Sequence, residues 1–341
     1  MNSLQTQCIT VASWAYLVSG LGKKSEINLK RSLELHQLLS YKNWEGREAT
    51  ERAGAGANEA FAAYALMQLN PENPTYPQII RKTVFKALRT FRPESYPQGW
   101  GKLICKLAFA KTTSDEMLFA EQIEQSTSNP LSEGKEVKKE KAKSSSDEGA
   151  DQYQTYHSIE LALDKAIELW RKDNSSQNIR EAICEAYFAK GKLALANARI
   201  NMGVQELERA ENGFLASLAL SDEGSRFSKR PFFKVTSTDI RNELGHLYLA
   251  WGTRFGEAEL IEKAIHHFST LLEREGCLSK TQILDTKYAL AECHLNYGGI
   301  TNKNKDHAQA IYSFNDVLDE GIRGERQEKV ERCIAVARAR L

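Results

Sequence analysis

The chain has 341 residues, with 46 Lys+Arg against 45 Asp+Glu and a formal net charge of +1. Hydrophobic residues make up 41% and charged residues 27%, so wholesale disorder is excluded, and balanced charge removes the usual argument for a nucleic-acid or membrane-surface protein. Only 7 Pro and 21 Gly favours helices.

Residues 1–22 carry no charged side chain, but Asn2, Gln5, Thr6, Gln7, Thr10 and Ser13 interrupt the apolar positions and no basic stretch precedes them. They predict a first core-facing helix rather than a signal peptide or membrane span. Residues 3–39 and 45–91 read as two helical hairpins. In the second, Ala53-Gly54-Ala55-Gly56-Ala57 lies in a helical run with neither a preceding strand nor a following Lys-Ser/Thr, so it is a tightly packed or kinked helix and not a phosphate loop. Residues 85–111 bring a small-x-x-x-aromatic pair, Ala87 and Phe91, then a Pro-containing turn and a new helix.

Composition shifts sharply at 127–151, whose only large apolar residues are Leu131 and Val137. Such a stretch cannot bury enough surface to offset its ordering entropy and is expected to be a flexible, charged, Ser-rich linker. It divides the chain into helical parts 1–126 and 152–341. The second part opens on an amphipathic helix with Ile159, Leu163, Ala166, Ile167 and Trp170 on one face. Asp173–Ser176, Ser221–Gly224 and Gly298-Gly299 read as stops. No convincing alternating strand occurs.

Periodicity decides the fold. Ala264/Phe268 and Ala310/Phe314 are 46 residues apart, as are Leu244/Leu290 and Gly252/Gly298. Ala210/Phe214 and Ala166/Trp170 lie upstream at offsets of 54 and 44. In each pair the Ala admits a neighbouring helix and the ring fills the gap one turn on. These residues resemble the tetratricopeptide repeat. Leu244, Gly245 and Tyr248 carry its L-G-x-x-Y core, followed by Gly252 at the expected helix end and then Ala264 and Phe268. A second copy runs through Leu290, Ala291, His294, Gly298, Ala310 and Phe314, and a weaker one through Gly191, Ala210 and Phe214. The family repeat is 34 residues long; here the surplus falls partly at Thr253–Glu259 and Ile300–Asp306. Tyr96, Pro97 and Trp100 are weakly similar to arrays that accompany CHAT (caspase-like) peptidase domains. The resemblance implies an all-α superhelix (an α-α solenoid) of about six hairpins.

It also implies a concave groove lined by the first helix of each hairpin, holding a peptide or helix of a protein partner. Its expected lining is Glu185, Phe188, Lys192 and Leu195, then Asn242, Glu243, His246 and Leu249, then Asp285, Tyr288, Glu292 and Leu295. More acid than base predicts a ligand with Lys or Arg beside apolar anchors. A separate contact is expected from Lys229, Arg230, Phe232 and Phe233 in KRPFFK, where rings between bases could stack on single strands or pin a partner; burial of both rings against helix ends is the favoured alternative. The leading expectation is a non-enzymatic scaffold or adaptor. The alternative is a regulatory subunit of a larger peptidase- or defence-related complex, and the third reading is RNA binding by a helical repeat.

Catalytic and metal readings find no support in the pattern. His266 and His267 are adjacent and point apart, Glu262 and His266 lack ligands from a second helix, and Cys293-His294 falls in core register. No cofactor is implied. The six scattered cysteines (Cys8, Cys105, Cys184, Cys277, Cys293, Cys333) contain no C-x-x-C, resemble small buried hydrophobes, and suggest a reducing, cytoplasmic setting.

Overall fold

The computed structural model describes residues 3–41, 49–128, 156–172, 177–201, 203–222, 235–273 and 278–341. Among them the chain is all-α: thirteen helices and no strand. No described helix is long and apolar enough to cross a membrane. The helices form two compact units, one reaching Glu206 and the other beginning at Leu207.

In the first unit, α1 (Ser3–Lys23) pairs with α2 (Glu26–Tyr41), and α3 (Ala49–Leu69) with α4 (Thr75–Leu88), giving the two hairpins expected over 3–39 and 45–91. The Ala-Gly run of α3 sits against α4: a Cβ added at Gly56 would come within 3.8 Å of the Thr83 carbonyl oxygen. Next, α5 (Pro97–Ser128) packs against α4, α6 (Tyr156–Lys172) and α7 (Gln177–Asn201).

This packing moves the expected division. The sequence division at 127–151 separates the helices on either side of it, yet α5 and α6 share a core in which Gly101 lies against the fully buried Trp170 ring. Residues 129–151 of the expected linker lie outside the described residues, whereas Thr127 and Ser128 end α5. The boundary between units falls instead in the first turn of α8 (Val204–Asp222).

The second unit holds the body of α8, then hairpin α9 (Ser237–Phe255)/α10 (Ala258–Leu272), hairpin α11 (Lys280–Thr301)/α12 (Asn304–Asp319), and α13 (Glu325–Arg338), which packs on α12 and α11. The first helices of the two hairpins also touch, α9 with α11, and α11 touches α13. Ala166, Ala210, Ala264 and Ala310, with Trp170, Phe214, Phe268 and Phe314, are all buried, as a small residue followed one turn later by a gap-filling ring requires. Around Phe314 the core gathers Ala291, Val317, Val330 and Ile334.

Two expected stops were misplaced. Gly252 lies inside α9, which continues to Phe255 and ends on Gly256 in the left-handed region (φ 70°). Gly298 and Gly299 lie inside α11, which ends at Asn302 (φ 53°). The glycines are there for packing, because a Cβ at Gly252 would meet Ile261 at 2.7 Å and one at Gly298 would meet the His307 ring at 2.9 Å. The starts of α9 and α11 are fixed by reciprocal capping boxes, Thr236 with Asp239 and Ser279 with Gln282.

Candidate functional site

A groove of about 400 Å³ opens in the second unit. Helix periodicity explains its lining. On α9, Asn242 and His246 are one turn apart and share a face; on α11, Asp285, Tyr288 and Glu292 follow at i, i+3 and i+7. α13 then contributes Arg326 and Lys329, and Leu271, Leu278, Leu284 and Ile322 supply apolar surface.

The polar groups hold one another. Arg326 donates from Nη1 to Asp285 Oδ1 at 3.0 Å. Tyr288 donates its hydroxyl to Glu292 Oε1 at 2.7 Å, and Lys329 Nζ lies 3.6 Å from the same oxygen and 5.0 Å above the tyrosine ring. Burial, and then the bond to Glu292, push the Tyr288 hydroxyl well above its usual pKa, so it stays a donor. Its ring meets Phe314 edge-on at 5.8 Å, which fixes it to the core. His246 is exposed and stands edge-on to Phe268 at 5.1 Å. Asp239, at the rim, accepts from the Thr236 amide at 2.9 Å and hydroxyl at 2.7 Å.

Five of the expected groove residues, Asn242, His246, Asp285, Tyr288 and Glu292, therefore converge on one concavity. Glu243 does not line it; Leu249 is buried, and Leu295 packs against the core around Phe314. Glu243 lies one residue off the Asn242–His246 face, whereas Leu249 and Leu295 keep the phase of the groove face but lie further along α9 and α11, past its lining. Glu185, Phe188 and Lys192 belong to the other unit, on α7. There Glu185 accepts from Lys106, a lysine 3% exposed whose ammonium lies 3.9 Å from the Tyr64 ring centroid, while Phe188 packs 6.0 Å from Phe109. That α7 face is thus engaged with the unit's own side chains. Lys229, Arg230, Phe232 and Phe233 lie outside the described residues.

Sequence reasoning missed α13. Its basic residues at i and i+3 (Arg326, Lys329) carried a legible signal, since they recur on the face flanking Val330. Arg326 and Lys329 reduce the surplus of acid without removing it, since Asp239, Asp285 and Glu292 outnumber them in the lining, and each of the three carboxylates already has a donor.

Of the six cysteines expected to be small buried hydrophobes, Cys105, Cys184 and Cys293 are buried, whereas Cys333 is half-buried, Cys8 is exposed and Cys277 lies outside the described residues. His267 is buried, stacked 5.6 Å from Tyr248, with its pKa lowered to about 4 chiefly by burial, while His266 is exposed. Cys293 is fully buried and its thiol pKa is raised by burial. Among the described residues no group of three His, Cys, Asp or Glu side chains is arranged to hold a metal ion.

No protein-family model matches the chain, and no curated protein matches it. Among solved structures, BtubC (BKLC) from P. vanneervenii is similar at 14% identity, over 89% of this chain and 94% of that one, with a TM-score of 0.43.

Proposed function

We propose that the chain is a non-enzymatic interaction module of the tetratricopeptide type, whose second unit holds a segment of a protein partner in the α9–α11–α13 groove. The observation that carries this reading is the convergence of Asn242, His246, Asp285, Tyr288 and Glu292 with apolar Leu278, Leu284 and Ile322 around an open volume of about 400 Å³. Apolar anchors with a few oriented polar groups suit recognition of a peptide or helix. The Arg326–Asp285 pair is solvent-exposed, and exposed pairs contribute about 0–1 kcal/mol, so a partner's Lys or Arg can replace Arg326 on Asp285 at small cost.

The test is selection from a displayed library of random peptides against the full chain, in parallel with His246→Ala/Asp285→Lys, two exposed positions. A peptide class with apolar anchors and a basic residue, enriched by the wild type and lost with the variant, is the expected outcome. Equal enrichment by both chains would put binding outside the groove. Steeply salt-dependent retention of RNA on filters would favour the nucleic-acid reading instead.

A further inference from the structure

The first helix carries an apolar face that the groove does not explain. α1 packs on α2 through Ser13, Leu17 and Gly20, all buried: Ser32 Oγ donates to the Ser13 carbonyl at 3.0 Å, and a Cβ at Gly20 would meet Leu29 at 2.7 Å. On the far side the exposed positions are Gln7, Cys8, Val11, Trp14, Ala15, Val18 and Gly22. They recur at alternating steps of three and four, the spacing of a helix–helix seam. Val11 is 69% exposed, Trp14 44% and Val18 45%. By contrast α13 turns Glu325, Arg326, Glu328, Lys329, Glu331 and Arg332 to solvent.

We infer that this stripe pairs with the same stripe of a second copy, α1 antiparallel to α1 about a two-fold axis near Trp14–Ala15. The stripe is self-complementary under that operation. Val11 meets the second copy's Val18, Trp14 meets its Ala15, and Gln7 comes opposite Gly22. A two-fold contact requires such a patch to match itself. Charge supports the same occupant: α1 has no charged side chain from Gln7 to Gly22, so pairing along that stretch desolvates no ion. Helices that lie on lipid surfaces carry Lys and Arg along their polar face, and α1 has none before Lys23. The copy is therefore favoured over a membrane.

Sedimentation equilibrium on the full chain, over about 1 to 200 μM, tests the pairing across the range of moderate affinities. The mass is expected to rise from 38.4 kDa towards twice that value. Trp14→Glu and Val18→Lys, both at exposed sites, are expected to stay at the monomer mass and to melt as the wild type does at concentrations where it is monomeric. Orientation is read by oxidation in a Cys8→Ser background. Mixed Val11→Cys and Val18→Cys chains should cross-link to each other, while Val11→Cys chains alone should not. A wild-type chain monomeric throughout, variants that still dimerise, cross-linking of Val11→Cys alone, or flotation of monomers with phosphatidylcholine vesicles would each overturn the inference.

Discussion

Replacing Gly245 by Ala separates the packing account of the repeat from a propensity account. In an exposed helix interior, Gly→Ala gains about 0.5–1 kcal/mol because glycine loses more backbone freedom on folding. At Gly245 the new Cβ would lie 2.6 Å from Phe268 Cζ and 2.7 Å from Cε1, well inside contact. The ring has no exposed surface and His246 stands against it, so it cannot swing aside without moving α10. Overpacking of this kind costs about 1–3 kcal/mol. The gain and the cost together leave Gly245→Ala destabilising by about 1–2 kcal/mol. Gly54 is the control: it also lies mid-helix, on α3, with nothing within 4 Å of its would-be Cβ, so Gly54→Ala should stabilise by up to about 1 kcal/mol. Urea unfolding followed by circular dichroism reads both, with each unit's transition fitted separately. A Phe268→Leu background should return much of the Gly245→Ala loss, giving an interaction energy of about 1 kcal/mol. If Gly245→Ala shifts its midpoint upward as Gly54→Ala does, the proposed helix-to-ring approach is refuted.

The other predictions concern buried charge, buried rings and protons. Glu185→Gln leaves the Lys106 ammonium buried without its carboxylate and should cost about 3–5 kcal/mol, whereas Lys106→Met/Glu185→Leu should lie near the wild type; equal losses in denaturant titration would contradict this. Phe314→Ala removes a fully buried ring and should cost about 3–5 kcal/mol, read as a lower midpoint for the second unit. His36 is 1% exposed, neither ring nitrogen has a hydrogen-bond partner, and burial lowers its pKa from 6.5 to about 4. The unfolded chain takes up that proton near pH 6.5 and the folded chain only near pH 4. Stability of the first unit is therefore full above pH 6.5 and falls across that window by about 1.4 kcal/mol per pH unit. His36→Leu should flatten this dependence, and an unchanged slope in pH-resolved melts would assign it to other groups. His267 has the same sign and window in the second unit.

The hairpins were legible because their signal is local. A small residue and a ring four positions later must point the same way on any helix, so Ala264/Phe268 and Ala310/Phe314 declare the buried face without reference to the rest of the chain. The glycines misled for a related reason. Taken alone, Gly252 and Gly298 look like stops, but each is the site where the next helix comes close, through Ile261 and His307, and that approach appears only when both helices are in place. The true ends needed the left-handed positions Gly256 and Asn302, and Asn is an ambiguous marker of that region. The segment 127–151 misled through its composition. A polar stretch between two helical runs reads as a boundary between domains, yet α5 and α6 on either side of it pack against each other, with Gly101 under Trp170 much as Gly245 lies under Phe268. Composition reports whether a segment can pack, and is silent on whether its neighbours pack on each other.

Groove chemistry follows the same division between local and non-local information. Helix phase alone puts Asn242 with His246, and Asp285 with Tyr288 and Glu292, so which side chains face outward can be read from spacing. What those side chains bind depends on the charges facing them, and these arrive from α13, about 40 residues downstream of Asp285 and Tyr288. Arg326 and Lys329 turn a face that looks acidic into one that is nearly balanced, with Glu292 shared between a tyrosine hydroxyl and an ammonium. The two pairs differ in consequence. Arg326–Asp285 is open to water, so a partner's cation can compete for Asp285 at small cost, while Glu292 is only about a quarter exposed and already accepts from Tyr288. Selectivity for a basic residue should therefore reside at Asp285 and be nearly indifferent to Glu292. Asp285→Asn is expected to lower affinity for a selected basic peptide several-fold, and Glu292→Gln to lower it little. The reverse order in a fluorescence-anisotropy titration would mean that the buried tyrosine–glutamate pair, rather than the exposed arginine site, meets the ligand.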